Sequence, residues 1–213
     1  MKKIIHIIVG LNNGGAENML YKMLKYSNNE KFYFEVISLT DKGTLGEKIE
    51  NLGIKVHTLN LNKTNLLSSL SKTMRICRNF DYLNCWMYHA EIFGFIISKL
   101  LGNKKIIWNV RHSNLDKNAN SPRTLKIAKI NSFLSNRIDF ITYNSYRALE
   151  NHIHLGYSEK NAYVISNGFE LEKFKYNEMS RNINRKALQL SDDDFVYITV
   201  GRWNVQKDYH TLF

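Results

Sequence analysis

Two adjacent glycines, Gly14 and Gly15, lie between the first hydrophobic run of the chain, Lys3–Val9, and a helical pattern over Ala16–Tyr26. Glycines at such a point let the backbone approach a ligand closely, and the free N–H groups of a helix start favour an anion. Their spacing differs from the Gly-x-Gly-x-x-Gly dinucleotide fingerprint. The pair therefore indicates either an anion-binding turn or a tight turn that binds nothing.

Two histidines, His89 and His112, each follow a short hydrophobic run that is typical of a buried strand. The runs are Asp81–Trp86 and Lys105–Val110, and Arg111 directly precedes the second histidine. An imidazole whose pKa is near neutrality can accept a proton, donate a hydrogen bond or pair with phosphate. Two histidines in matching positions, one beside an arginine, favour a binding or catalytic site. Each one by itself could equally cap a helix or fill a turn.

A third group follows the last hydrophobic run, Phe195–Val200, where Gly201 precedes Arg202 and Lys207. Arginine offers a bidentate fork to phosphate oxygens, and lysine offers a point charge. The group indicates a diphosphate clamp. The alternative is a pair of exposed cations in a loop.

Short runs rich in β-branched residues alternate along the chain with longer patterns of helical period. The predicted strands of the first part are Lys3–Val9, Phe32–Leu39, Ile54–Leu59, Asp81–Trp86, Lys105–Val110, Asp139–Tyr143 and Ala162–Ile165. Such alternation predicts an α/β fold with a doubly wound, mostly parallel Rossmann-like sheet. Parallel strands place their carboxyl ends at one edge, where ligands bind. The glycine pair and both histidines are therefore expected at that edge.

The pattern changes after Asn167 and Gly168. We predict a first domain over residues 1–168, a linker over 169–192, and the truncated start of a second Rossmann-like domain over 193–213. Within the linker, Glu170–Met179 has no clear period and Arg181–Leu190 has a helical one. The second domain is predicted to begin with a buried strand over Phe195–Val200 and a helix near Asp208.

The net charge of +11 indicates a partner such as a polyanion, an anionic membrane surface or a phosphorylated small molecule. Sequence-specific readers of nucleic acid use arginine clusters, whereas the arginines here are dispersed, so we predict no nucleic-acid partner. One helical pattern, Arg123–Arg137, combines four cationic residues with apolar positions that include Ile130 and Phe133. It could lie on anionic lipid, or pack as an ordinary helix with a solvated cationic face.

The composition excludes several classes of protein. At 44% apolar and 12% aromatic residues the chain is too hydrophobic for disorder, and no apolar run reaches the roughly 20 residues of a membrane span. Cys77 and Cys85 cannot build a disulfide framework or a zinc site, so we expect buried thiols. A reduced, cytoplasmic protein without a metal is the simplest interpretation.

Together these motifs resemble the family 4 glycosyltransferases, enzymes with two facing Rossmann-like domains in the GT-B architecture. The residues that carry the resemblance are Gly14-Gly15-Ala16-Glu17, His89, His112, Ser145, Ser166-Asn167-Gly168-Phe169, and Gly201-Arg202 with Lys207-Asp208. The resemblance covers nearly the whole chain. It places the acidic motif and most of the donor pocket of the family beyond Phe213, so we expect an acceptor-side domain with the start of a donor domain.

The resemblance implies a transfer, with retention, of a sugar from a nucleotide-diphosphate donor to a hydroxyl acceptor, without a metal or other cofactor. Arg202 and Lys207 would bind the diphosphate, and the backbone at Gly14 and Gly15 would reach the diphosphate or the acceptor. His112 would lie near the sugar as a site-lining or catalytic residue. The remaining substrate-binding positions would be His89, Arg111, Asn167 and Gly168.

The implied acceptor is a polysaccharide or a lipid-linked molecule of cell-surface assembly, met at the inner face of the membrane. A peripheral membrane location would suit the basic charge of the chain. The alternative is a non-catalytic remnant of such an enzyme that binds a sugar or a nucleotide. A Rossmann oxidoreductase is disfavoured by the glycine spacing.

Overall fold

The computed structural model describes residues 1–117, 120–201, 203 and 207–212, and its contacts divide the chain into two units, Met1–Asn167 and Gly168–Phe213. The strands of the first unit are β1 (Lys2–Ile8), β2 (Phe32–Ser38), β3 (Lys55–Thr58), β4 (Tyr82–Trp86), β5 (Lys105–Val110), β6 (Phe140–Tyr143) and β7 (Ala162–Val164). Its helices are α1 (Gly15–Lys25), α2 (Gly43–Glu50), α3 (Leu66–Cys77), α4 (Tyr88–Leu100), α5 (Pro122–Leu134) and α6 (Tyr146–Leu155).

The seven strands form one sheet in the order β3-β2-β1-β4-β5-β6-β7, and every neighbouring pair is parallel. The order reverses between β1 and β4. Right-handed crossovers therefore place α1 and α2 on one face and α3 to α6 on the other. The predicted α/β class with a doubly wound, parallel Rossmann-like sheet is confirmed. The element bounds differ from the predicted ones by a few residues at their ends.

Two hydrophobic clusters fill the space on either side of the sheet. Leu20 of α1 and Ile49 of α2 belong to the cluster that contains Ile8. Phe93 of α4 belongs to the cluster that contains Ile7. Neighbouring residues of β1 thus point to opposite faces of the sheet. Because both faces are buried, the strand is almost continuously apolar.

Helix α4 lies close against the sheet because residue 94 is glycine. A Cβ atom added at Gly94 would overlap the Sγ atom of Cys85 and would lie 3.7 Å from Cδ1 of Ile106. Cys85 is fully buried in β4, so it has no free space into which to move. The close approach therefore depends on the missing side chain.

We expect Gly94→Ala to lower the free energy of unfolding by about 1–3 kcal/mol, because the added methyl group overpacks a closed core. Unfolding in urea measures this change. Gly15→Ala is the matched control, since an added Cβ there meets nothing within 4 Å. A Gly94→Ala chain as stable as the wild type would show that α4 is not held tightly at this point.

The second unit contains helices but, in the part that the structure describes, no strand. A 3-10 turn spans Leu171–Phe174, and two helices follow, α7 (Glu178–Ala187) and α8 (Tyr209–Leu212). The predicted linker over Glu170–Met179 is therefore partly helical. The predicted strand over Phe195–Val200 is wrong in this structure, where Tyr197 is 90% exposed. A strand requires a hydrogen-bonded neighbour, and β-branched composition alone does not supply one.

Candidate functional site

The glycine pair forms the entry to α1 at the carboxyl end of β1. Gly14 is the N-terminal cap of the helix in an extended conformation, and its carbonyl accepts a hydrogen bond of 2.8 Å from the side-chain amide of Asn18. The carboxylate of Glu17 lies against Gly14, at the positive end of the helix. Gly15 is open on its side-chain face. An incoming anion would compete with the Glu17 carboxylate for this helix start.

The end of β4 carries an unusual backbone conformation that the sequence did not indicate. Met87 has φ 71° and ψ 155°, a region that is costly for a residue with a side chain. Its N–H donates to the carbonyl of Asn109 at 3.3 Å, and its carbonyl accepts from the N–H of Glu91 at 3.0 Å. These bonds hold the sharp turn that starts α4 at the point where the strand order reverses.

His89 is the second residue of α4 and is exposed at the carboxyl edge of the sheet. Among the residues that the structure describes, its side chain makes no hydrogen bond. The imidazole is therefore available to a ligand, and its predicted role in lining the acceptor side stays a prediction.

His112 lies two residues beyond the end of β5 and is half-buried. Its Nε2 atom is 2.6 Å from Oδ1 of Asn120. The amide nitrogen of Asn120 donates to the carbonyls of Asn114 and Asp116, at 2.8 Å each, which fixes the amide with its oxygen toward the ring. Because that oxygen can only accept, Nε2 of His112 carries the proton and Nδ1 is left as an acceptor.

The rings of His112 and Tyr88 pack in a T-shaped arrangement, with 6.2 Å between ring centroids. Tyr88 is buried, and its hydroxyl is 2.7 Å from Nε2 of His152. The Nδ1 atom of His152 donates to the carbonyl of Ala148, so Nε2 accepts from the tyrosine. Burial lowers the pKa of His152 to about 4, which keeps this histidine neutral. The sequence spacing did not mark His152 as a support of the site.

Arg111 is fixed by contacts from three directions. Its guanidinium lies 4.8 Å from the ring centroid of Trp86 in a cation–π arrangement. It also donates to Oδ1 of Asn109 at 3.2 Å and to Oδ1 of Asn167 at 3.1 Å. Partial burial lowers its pKa, yet arginine keeps its charge at neutral pH. The structure therefore brings Arg111 and Asn167 together and places a held positive charge at the ends of β5 and β7.

The remaining predicted residues belong to the second unit. Gly168 has open space where a side chain would be, and Lys207 is exposed. Arg202 lies outside the described residues. The diphosphate clamp of Arg202 and Lys207 thus stays a prediction.

Neither cysteine is suited to nucleophilic chemistry. Cys77 and Cys85 are buried free thiols, as predicted. Burial raises the pKa of Cys77 to about 12 and that of Cys85 well above its usual range, so both stay protonated. In the described ranges, no group of three or more His, Cys, Asp and Glu side chains is arranged to hold a metal ion.

A parallel sheet whose order reverses beside a glycine turn, with histidine, arginine and asparagine at its carboxyl edge, is typical of a Rossmann-like domain. The model of Glycosyltransferase Family 4 matches residues 13–173, and the chain belongs to this family.

Several known proteins are similar to this chain in sequence or in fold. The capsular polysaccharide biosynthesis glycosyltransferase CapH of Staphylococcus aureus is 28% identical over 209 residues, which are 95% of this chain and 54% of CapH. HepE of Anabaena, crystallised with UDP-glucose, superposes with a TM-score of 0.72 at 19% identity, over 89% of this chain and 50% of HepE. MurG of Acinetobacter baumannii gives 0.56 at 11% identity, over 80% of this chain and 46% of MurG. The chain thus spans about half the length of these proteins.

Proposed function

We propose that the chain is the acceptor-side part of a glycosyltransferase that moves a sugar from a nucleotide-diphosphate donor to a hydroxyl group of a polysaccharide or lipid-linked acceptor. Family membership supports the class of reaction. The role of CapH in capsular polysaccharide biosynthesis supports the acceptor, and the UDP-glucose complex of HepE supports the donor. The observation that carries the proposal is His112, whose Nδ1 is left as an acceptor at the carboxyl edge of the sheet.

In this proposal the acceptor hydroxyl donates a hydrogen bond to Nδ1 of His112. On the face of the sugar from which the diphosphate leaves, the hydroxyl oxygen forms a bond to the anomeric carbon while the bond from that carbon to the diphosphate breaks. The diphosphate takes the electron pair of the broken bond, and the hydroxyl proton passes to Nδ1 of His112. Arg202 and Lys207 stabilise the negative charge that develops on the leaving diphosphate, and the backbone N–H groups at Gly14 and Gly15 bind the diphosphate or the acceptor. Transfer proceeds with retention and without a metal or other cofactor. Arg111, held by Asn167, gives the acceptor side a fixed positive charge.

The second candidate is a non-catalytic module that binds a sugar or a nucleotide. It is favoured by the second unit, whose described residues form helices and no sheet. A donor hydrolysis and transfer assay separates the two candidates when the 213-residue chain is compared with a form that carries a complete second domain. We expect transfer by the extended form. No transfer by the extended form with any nucleotide sugar would contradict the proposed enzyme.

We further propose that the protein lies peripherally on the cytoplasmic face of the membrane through α5. No helix in the part of the chain that the structure describes is long and apolar enough to span a bilayer. The exposed stripe of α5 and the turn after it includes Arg123, Lys126, Lys129, Ile130, Phe133 and Arg137. Ile130 and Phe133, expected at apolar packing positions, are 41% and 70% exposed. Apolar side chains among cations suit the interface of an anionic lipid surface.

We expect Phe133→Ser to weaken co-sedimentation with vesicles that contain anionic lipid by about tenfold, because it removes the exposed apolar side chain at the centre of the stripe. The matched control is Tyr26→Ser. Tyr26 is 63% exposed, like Phe133 it has a lysine over its ring, and it follows α1 on the opposite face of the sheet. Equal binding by both variants, or no preference of the wild type for anionic lipid, would contradict the membrane proposal.

A further inference from the structure

A cavity of about 420 Å³ lies at the amino-terminal edge of the sheet, opposite to the edge that carries the candidate site. It is open to solvent and is lined by residues of the first half of β1 and β2, by residues of β3, and by residues at and just after the end of α3. The seven residues of β1 separate the two edges by roughly 20 Å. The cavity is therefore distinct from the site proposed for sugar transfer.

The floor of this cavity is a hydrogen-bonded group of three side chains. Nε2 of His57 lies 2.5 Å from one carboxylate oxygen of Glu35, and the hydroxyl of Tyr33 donates to the other at 2.7 Å. The side chains of His57 and Glu35 are only 13% and 12% exposed. Further along the same face, β2 carries the fully buried Ile37. The ionisable side chains of the cavity therefore lie next to the apolar core, on the same face of the sheet.

The rim of the cavity is cationic. Lys3 of β1 and Lys55 of β3 both line it, and Lys55 is directly opposite Glu35 in the strand register. No ion pair of either lysine occurs among the described residues. The Glu35 carboxylate is already hydrogen-bonded to Tyr33 and His57, so it is not free to pair with either lysine. An anionic group would satisfy both.

The other walls suit a sugar ring. Tyr33 is 40% exposed, and its ring stacks on the ring of the buried Phe80, at 6.0 Å between centroids. It forms an aromatic wall against which a pyranose could lie. The side-chain amide of Asn79 lines the cavity, and the oxygens of Glu35 retain lone pairs for hydroxyl donors.

We propose that this cavity binds a phosphorylated monosaccharide, with Lys3 and Lys55 at the phosphate, Tyr33 against the ring, and Glu35 and Asn79 at the hydroxyl groups. Each part of the ligand matches a different group of the cavity: the charge matches the lysines, the sugar ring matches the aromatic ring of Tyr33, and the hydroxyl groups match the carboxylate and the amide. An anion without a sugar, such as inorganic phosphate, would contact only the lysines. The site is independent of the proposed transfer reaction.

The test is a calorimetric titration of the 213-residue chain with glucose 6-phosphate, glucose and inorganic phosphate. We expect glucose 6-phosphate to bind at least tenfold more tightly than either of the other two. The double variant Lys3→Gln/Lys55→Gln should weaken its binding at least tenfold. The matched control, Lys48→Gln/Lys160→Gln, changes two exposed lysines elsewhere and should bind as the wild type does.

Three results would overturn this proposal: no binding of glucose 6-phosphate, equal affinity for inorganic phosphate, or unchanged affinity in the Lys3/Lys55 variant. Thermal unfolding of each variant shows that the fold is retained. His112→Ala, at the opposite edge, should leave this binding unchanged. A failed titration would therefore contradict only the proposed cavity site, and a failed transfer assay would contradict only the proposed enzyme.

Discussion

His112→Ala is expected to lower the turnover of sugar transfer by about 100-fold or more, in a form with a complete second domain, while the protein stays folded. The size follows from the usual effect of removing a side chain that handles a reacting proton. In the proposed reaction the acceptor hydroxyl loses its only positioned acceptor, Nδ1 of His112. Within the described ranges, the half-buried ring has one hydrogen bond, to Asn120, so we expect its loss to leave the core intact.

His154→Ala is the matched control, because this histidine is exposed on α6 and has no place in the proposed reaction. Steady-state transfer kinetics and thermal unfolding measure both variants. Turnover of the His112→Ala enzyme within a few fold of the wild type, with normal unfolding, would remove this residue from the mechanism.

Glu91→Gln is expected to abolish most of the loss of stability that the wild type shows between about pH 6.5 and about pH 8.5. Glu91 is fully buried in α4, and one of its carboxylate oxygens accepts from the amide of Asn131 at 2.7 Å. The other oxygen has no partner in the described part of the chain. Burial raises the pKa of Glu91 to about 8, so the folded protein holds this group as a neutral acid.

The direction of the effect follows from proton linkage. Because the pKa of Glu91 is higher in the folded chain than in the unfolded chain, its contribution is present at low pH and is lost as pH rises toward 8. Below about pH 6.5 the buried His6 and His152 oppose it, since their pKa values are lowered from 6.5 to about 3 and about 4. Above that pH both histidines are neutral in either state, and Glu91 dominates. The buried Cys77 and Cys85, whose pKa values are also raised, add a smaller loss of the same sign near the upper end of this pH range. The expected loss is about 2 kcal/mol, at about 1.4 kcal/mol per pH unit.

Urea unfolding at closely spaced pH values measures this slope. The amide that replaces the carboxyl group in Glu91→Gln does not titrate, so the free energy of unfolding of this variant should be nearly constant over the same pH range. Glu47→Gln, at an exposed position of α2, is the matched control and should keep the wild-type slope. Equal slopes in Glu91→Gln and the wild type would show that Glu91 is ionised in the folded protein.

Much of the first unit could be predicted from the sequence because its signals are local. A run such as Lys105–Val110 shows the β-branched composition of a buried strand, and Gly156 stops α6 in the left-handed conformation that glycine allows. Parallel connections then place His89 and His112 at one edge. The same reasoning failed at Phe195–Val200, because strand formation depends on a neighbour that composition does not reveal.

The order of residues was enough to establish the alternation of strands and helices, and through it the edge at which His89, Arg111 and His112 lie. What these groups can do became visible only in the folded chain. The tautomer of His112 depends on Asn120, and the neutral state of Glu91 depends on burial. The cavity at the other edge likewise joins residues of three strands and a helix end. Periodicity is a property of neighbouring residues, whereas hydrogen bonds and desolvation arise between residues that are distant in the chain and meet only when it folds.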